Sequence, residues 1–148
     1  MTKSKELSVF DRYHLNGYLE KKYYINNSYY QPYSAKERYL AGILFYKDFL
    51  SWKRGHLKAL DFTIPKVDYA KRIIGDNLSS ERFRKTLRAI SYPFLPILYK
   101  IILEQTEIKP PKKMTPRERL YFNDEIKTLL CRGLDELISY YKNKDTQQ

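Results

Sequence analysis

The densest group of cations in the chain lies in the run Arg82-Phe83-Arg84-Lys85-Thr86-Leu87-Arg88. On a helix, Phe83 and Leu87 share one face, and Arg84, Lys85 and Arg88 lie on the opposite surface. A helix with one buried stripe and three cations opposite can contact nucleic-acid phosphates or enter a groove. The alternative is a solvated charged face, which is the commoner role of such a run.

Two further basic groups could add phosphate contacts. Lys53, Arg54 and Lys58 surround Gly55, where we expect a helix to end and where cations also interact favourably with the helix dipole. Lys112 and Lys113 follow two prolines in a stiff linker, and such basic linkers can track a phosphate backbone without reading bases.

Tyrosine is the second source of binding chemistry, with 15 in 148 residues. Tyr29, Tyr30 and Tyr33 lie in a turn-rich connector that contains Asn26, Asn27 and Pro32. They could form a protein-contact surface or stack on unpaired bases. They could also pack in the ordinary way, with each hydroxyl kept in water.

The sequence carries no recognisable catalytic or metal-binding pattern. Its two histidines, His14 and His56, have no acid at a familiar spacing, and no phosphate-binding or nucleotide-binding fingerprint is found. Cys131 is the single cysteine, which excludes an internal disulfide and argues against a cysteine-based zinc site. We therefore predict no enzyme activity, no catalytic residues, no cofactor and no metal.

The overall charge favours an acidic partner. The formal net charge is +11 and the isoelectric point is about 9.6. Nucleic acid is the leading partner class and an acidic protein surface the second, although AT-rich coding also favours Lys, Tyr, Asn and Ile. The partner that we predict is double-stranded DNA. The most apolar stretch, residues 94–103, is about half the length that spans a bilayer, and residues 1–10 lack the apolar run of a secretory signal. We predict a soluble cytoplasmic protein without membrane contact.

The elements that must position these residues are helices. Thr115-Pro116-Arg117-Glu118 is a capping box, and apolar residues at helical spacing follow it to about residue 142. Asn123 could divide this segment into two helices. Ser34-Ala35-Lys36-Glu37 is a second capping box, and the apolar stretch 94–105 is the best candidate for the buried partner of the C-terminal helix.

These patterns predict an all-α, single-domain bundle of five to seven helices with a long C-terminal helix. Residues 1–33 form an N-terminal arm or short helices, residues 34–142 the core domain, and residues 143–148 a disordered tail. Within the core domain, residues 57–64 have some strand character or form an extended connector, and residues 66–74 form a helix. We expect Asp48 and Glu37 to be structural ion-pair partners of Arg38 or Lys47.

A family resemblance covers residues 34–141. Arg38, the pair Ala41-Gly42 and the pair Asp48-Phe49 resemble the opening of a helical domain of unassigned function in alphaproteobacterial proteins and phage-like elements. The leucine-rich segment that closes on Tyr140-Tyr141 resembles the end of that domain. The domain is similar to part of the transcription activators of gene transfer agents, and the final layout is similar in outline to the ends of phage late-gene activators.

The resemblance implies a helix-turn-helix-like regulator of transcription. The chain departs from that pattern in two respects: the linker 108–114 is proline-rich, and the segment 114–148 is neutral, with six basic and six acidic residues. Arg119 and Arg132 are therefore the only obvious base-reading candidates on the last helix.

Two hypotheses follow from the sequence. The first is a DNA-binding transcriptional regulator from a phage-like or mobile element. The second is a protein-binding adaptor that docks on RNA polymerase or a replication protein through its tyrosines. A binder of single strands or RNA is a third possibility that depends on the tyrosines alone. The DNA site, the direction of regulation and the oligomeric state are not encoded in any recognisable pattern.

Overall fold

A computed structural model describes residues 7–59, 78 and 80–146. Within these residues the protein is mostly helical, with five α-helices and one small two-stranded sheet, so the predicted helical class is confirmed in outline. The expected helix at residues 66–74 lies outside the described residues, as does most of the strand-like stretch 57–64. The helices are α1 (Val9–Leu15), α2 (Ala35–Ala59), α3 (80–89), α4 (Leu95–Leu98) and α5 (Pro116–Thr146), and the strands are β1 (Tyr23–Ile25) and β2 (Ser28–Tyr30).

The N-terminal segment folds as two short helices that a glycine separates. Ser8 caps α1 by accepting a hydrogen bond from the Asp11 backbone N–H at 3.1 Å. Gly17 follows with a φ of +81°, a left-handed conformation that costs a residue without a side chain little. A 3₁₀ turn then runs from Tyr18 to Glu20. The sequence left open an N-terminal arm or short helices for residues 1–33, and the structure has short helices within residues 9–20.

The predicted turn-rich connector is a β-hairpin. Strands β1 and β2 pair antiparallel, with Tyr23 opposite Tyr30 and Tyr24 opposite Tyr29. Asn26 and Asn27 turn the chain with φ values of 51° and 65°. Two consecutive left-handed residues are characteristic of the tight hairpin turn whose twist matches that of the strands, and asparagine tolerates this conformation.

Helix α2 begins at the predicted capping box. The Glu37 N–H donates to Ser34 Oγ at 3.1 Å, and the Ser34 N–H donates back to Glu37 Oε1 at 3.3 Å. Gly42 lies against the Phe10 ring so closely that a Cβ at this position would overlap the ring. The N-terminal segment is therefore packed on α2.

Helix α2 does not end at Gly55, as the sequence suggested, but continues to Ala59. Its side facing α3 carries an aromatic cluster, in which the Phe83 ring lies 5.6 Å from the rings of Phe45, Phe49 and Trp52. A glycine inside a helix costs only about 1 kcal/mol relative to alanine. The packing of these rings can stabilise the helix by more than that, so α2 continues past Gly55.

The apolar stretch after α3 is the buried partner of α5, as predicted. Pro96 lies in the first turn of α4, and a π-helical turn from Tyr99 to Leu103 continues the segment. Leu98 and Ile101 are fully buried. A Cβ on Gly133 would lie 3.0 Å from the Phe94 Cβ and 3.1 Å from the Leu98 Cγ, so the small residue sets the close approach of α4 to α5.

Helix α5 is a single continuous helix. The Glu118 N–H donates to Thr115 Oγ1 at 3.2 Å, which confirms the predicted cap. Asn123 does not divide the helix, and the helix extends four residues past Lys142, to Thr146. Its buried stripe contains Leu130, Leu134, Leu137 and Ile138, in agreement with the helical spacing of apolar residues in this segment.

Candidate nucleic-acid interface

Helix α3 presents three of the predicted cations to solvent. Phe83 and Thr86 are buried against the body, whereas Arg84, Lys85 and Arg88 are exposed. Lys85 has a long ion pair with Glu81 at 3.9 Å, between two exposed groups, and such a pair contributes little. The predicted division of this helix into an apolar face and a cationic face is therefore confirmed.

Arg82, the first cation of the same run, has a different role. Its Nε and Nη2 donate to the two carboxylate oxygens of Asp48, both at 2.6 Å, and the Asp48 side chain is 2% exposed. The expected pairing of Asp48 with Arg38 or Lys47 was wrong, because α3 brings Arg82 across α2 to this carboxylate. A planar guanidinium matches a carboxylate in two parallel bonds, so the pair fixes the rotation of α3 as well as its position.

The cations at the end of α2 border the same aromatic cluster. Lys53 and Arg54 are exposed and directly follow Trp52, whose ring contacts Phe83. Lys53 Nζ lies 5.9 Å from the centre of the Phe49 ring. The side chain of Lys58 lies outside the described residues. Because the helix continues beyond Gly55, a favourable interaction of Lys53 and Arg54 with its C-terminal dipole is weaker than expected.

Lys112 and Lys113 are exposed but lie far from α3. They precede the first turn of α5, whereas Thr86 of α3 lies beside Tyr141 near the other end of that helix. At a rise of 1.5 Å per residue, the 25 steps from Pro116 to Tyr141 cover about 38 Å. The predicted cations therefore form two separate groups rather than one patch.

Both base-reading candidates on α5 have structural contacts. Arg119 donates to the backbone oxygens of Met114 and Lys112, at 3.3 and 3.2 Å, and so closes the linker onto the helix. The Arg132 guanidinium lies 5.5 Å from the centre of the Tyr23 ring and 5.1 Å from that of Phe94. These contacts hold both arginines against the protein's own surface.

The tyrosine hairpin has an inner and an outer face. Tyr23 is buried and Tyr30 packs edge-on against it, whereas Tyr24 and Tyr29 form an outward pair that is 61% and 75% exposed. The Tyr33 hydroxyl is hydrogen-bonded to Ser139 Oγ at 3.0 Å. Of the three predicted contact tyrosines, Tyr29 is the most exposed, Tyr30 is 48% exposed and Tyr33 is half-buried.

A buried polar network, which the sequence reading missed, joins α2, the hairpin and α5. Arg38 is 0% exposed, and its Nε and Nη2 donate to the carboxylate of Asp135 at 2.7 and 2.8 Å. Its Nη1 donates to the carbonyl oxygens of Leu19 and Lys21. The Tyr23 hydroxyl donates to Asp135 Oδ2 at 2.7 Å. The sequence contained a sign of their burial, since Arg38 and Asp135 lie at core-facing positions of amphipathic helices.

The network shifts the pKa values of Arg38 and Tyr23. Burial lowers the pKa of Arg38, but the hydrogen bonds and charge of Asp135 more than offset this effect, so the net pKa is raised. Burial and the hydrogen bond to Asp135 both raise the pKa of Tyr23. Each polar group is satisfied internally, so this arrangement positions the hairpin on α5.

The described residues contain no group of three or more His, Cys, Asp and Glu side chains that could hold a metal ion. His14 is stacked on Tyr39 with ring centres 4.1 Å apart, and its Nδ1 is buried without a hydrogen-bond partner. In the same described ranges, every helix is too short or too polar to cross a bilayer.

Comparison with known proteins finds no protein-family model, curated protein or solved structure that matches this chain.

Proposed function

We propose that the protein binds double-stranded DNA through the cationic face of α3, with Lys53 and Arg54 of α2 adding phosphate contacts. The observation that carries the proposal is that Arg84, Lys85 and Arg88 are exposed together on a helix whose other face is buried. Arginine and lysine on a fixed helix can engage several phosphates at once, and the net charge of +11 attracts the duplex over a longer range.

The Asp48–Arg82 pair supports this role by holding the α3 face in place. It uses one cation of the run for anchoring and leaves three for a partner. Phosphate contacts position a protein on DNA without reading its sequence. A role in regulating transcription in a phage-like or mobile element is the further part of the proposal, and it depends on the resemblance of residues 34–141.

The test is a salt series of duplex titrations followed by fluorescence anisotropy. Each neutralised phosphate contributes about 0.9 to the slope of log affinity against log salt, so replacing Arg84, Lys85 and Arg88 by Ala lowers the slope by about 2.7. The matched control replaces the exposed Lys22, Lys36 and Lys100 by Ala, which removes the same net charge elsewhere.

The control variant keeps most of its affinity and slope under this proposal. Equal effects of the two triple variants would show that only net charge matters, and unchanged binding of the α3 variant would refute the assignment.

The second candidate function is a protein-binding adaptor, and the exposed Tyr24–Tyr29 pair favours it. Their rings lie 5.3 Å apart, edge to face, on the outer side of the hairpin. Exposed tyrosines are enriched at protein interfaces because they bury a large area with few rotatable bonds. Complexes with RNA polymerase or a replication protein that survive nuclease treatment, and are lost on replacing both tyrosines by Ser, are the expected result for an adaptor. If nuclease removes every partner, this candidate fails.

A further inference from the structure

The first turns of α5 stand clear of the rest of the protein. Residues 116–121 and 123–125 are exposed, whereas most residues from 130 to 138 are buried. Leu120 and Tyr121 are 72% and 68% exposed, adjacent on the helix, beside an open groove of about 630 Å³. Large apolar side chains grouped in this way are characteristic of a contact surface.

The exposed residues form one stripe with opposite charges at its two ends. Arg117, Leu120, Tyr121 and Asp124 follow the i, i+3, i+4, i+7 spacing of a single helix face. Arg117 lies one turn before the apolar pair and Asp124 lies one turn after it. We call these four residues the α5 stripe.

The α5 stripe is complementary in charge to the same stripe of a second copy that lies antiparallel to it. If two copies align antiparallel about a two-fold axis between Leu120 and Tyr121, Leu120 faces the second copy's Tyr121. Arg117 then faces the second copy's Asp124, and the symmetry makes each contact twice. A parallel alignment would instead oppose Arg117 to Arg117 and Asp124 to Asp124.

Both charged residues can take part in such a contact. Asp124 Oδ1 accepts a hydrogen bond from Lys21 Nζ at 2.6 Å, and the Asp124 side chain is still 57% exposed. Within the described residues Arg117 has no ion pair, and it is exposed. The Lys21 contact is a surface pair of small energy, so it does not compete strongly.

We propose that the α5 stripe is a contact between two copies of this chain, packed antiparallel. Helices in such a pair lie about 8–10 Å apart, close enough for Leu120 and Tyr121 to interdigitate and for Arg117 to reach Asp124. The contact covers only a few turns, less than a standard interface of about 1,200–2,000 Å². The dimer is accordingly expected to be weak.

The experiment is sedimentation equilibrium of the full chain without DNA over a range of concentrations. Arg117→Asp places two aspartates opposite each other at both ends of the contact, and Asp124→Arg does the same with two arginines. Each single variant weakens self-association by about tenfold or more, since two attractive pairs become repulsive. In an equimolar mixture of the two variants every pair is attractive again, so the mixture forms a heterodimer.

Control variants separate this contact from general charge effects. Lys36→Asp and Glu104→Arg make the same changes of net charge at exposed positions off the stripe, and Lys21→Ala removes only the internal partner of Asp124. All three dimerise like the unmodified chain.

A chain that stays monomeric at every concentration overturns the proposal, and so does a dimer that both stripe variants leave intact. The weakening by each single variant is specific to the antiparallel arrangement, because a parallel pair would oppose like charges both before and after the change. Failure of the mixed variants to associate would also refute the proposal. Because the readout contains no DNA, it is independent of the proposed function.

Discussion

Replacing Asp135 by Ala tests the most consequential buried contact in the protein. The change removes the carboxylate that accepts two hydrogen bonds from Arg38 and one from Tyr23. It leaves a guanidinium that is 0% exposed, with only the Leu19 and Lys21 carbonyl oxygens as partners. Removing one partner of a buried ion pair costs about 3–5 kcal/mol, because the remaining charge is uncompensated.

The size of that loss can be compared with the total free energy of unfolding. A domain of this length has a free energy of unfolding of about 5–15 kcal/mol, so a loss of about 3–5 kcal/mol removes between about a fifth and all of it. Two further variants grade the effect. Tyr23→Phe removes one hydrogen bond and costs about 1 kcal/mol. The double variant Arg38→Met, Asp135→Leu recovers part of the loss, since it leaves no unpaired charge.

Urea unfolding followed by far-UV circular dichroism gives the free energy of unfolding of the unmodified protein and of the three variants. Asp135→Ala is expected to be the most destabilising change, and Tyr23→Phe and the double variant are each expected to cost less. If Asp135→Ala cost no more than Tyr23→Phe, the guanidinium would have to be hydrated in solution, and the argument from burial would be refuted.

Two further predictions concern the second ion pair and the single thiol. Asp48→Ala destabilises by about 1–3 kcal/mol, less than Asp135→Ala, because the Arg82 side chain is 34% exposed and can turn to water; an equal or larger loss in urea unfolding would contradict this order. Burial raises the pKa of Cys131 from 9.0 to about 11, so the folded state favours the neutral thiol, and this contribution to stability is lost as the pH rises from about 9 to about 11. Cys131→Ala should flatten the pH dependence of unfolding in that range, and rapid labelling of the native thiol at neutral pH would argue against its burial.

Features set by neighbours in the chain could be predicted from the sequence. Ser34 and Thr115 cap helices because a hydroxyl three residues before a glutamate has its partners within one turn. Pro96 suits a first turn for equally local reasons. The cationic face of α3 also follows from helical spacing alone, and the structure confirms it.

Features set by distant neighbours could not be predicted in the same way. Arg38 and Asp135 are 97 positions apart, and Asp48 and Arg82 are 34 apart, so spacing along the chain carries no information on either pair. The hairpin was missed because Asn26-Asn27 also reads as an irregular turn, and its strands of three residues are too short for an alternating pattern. The continuation of α2 past Gly55 likewise depends on aromatic packing against α3.

The unbroken course of α5 has a consequence for how a duplex could lie on this protein. The α3 face and the cations Lys112 and Lys113 lie toward opposite ends of this one helix, which rises about 38 Å from Pro116 to Tyr141. B-form DNA repeats every 10–10.5 base pairs, or about 34–36 Å. If DNA binds as proposed and runs along α5, it would pass the two ends of the helix on nearly the same side of the double helix, about one turn apart. Inserting or deleting a turn of α5 would change this spacing by about 5.4 Å and so change the phase between the two ends.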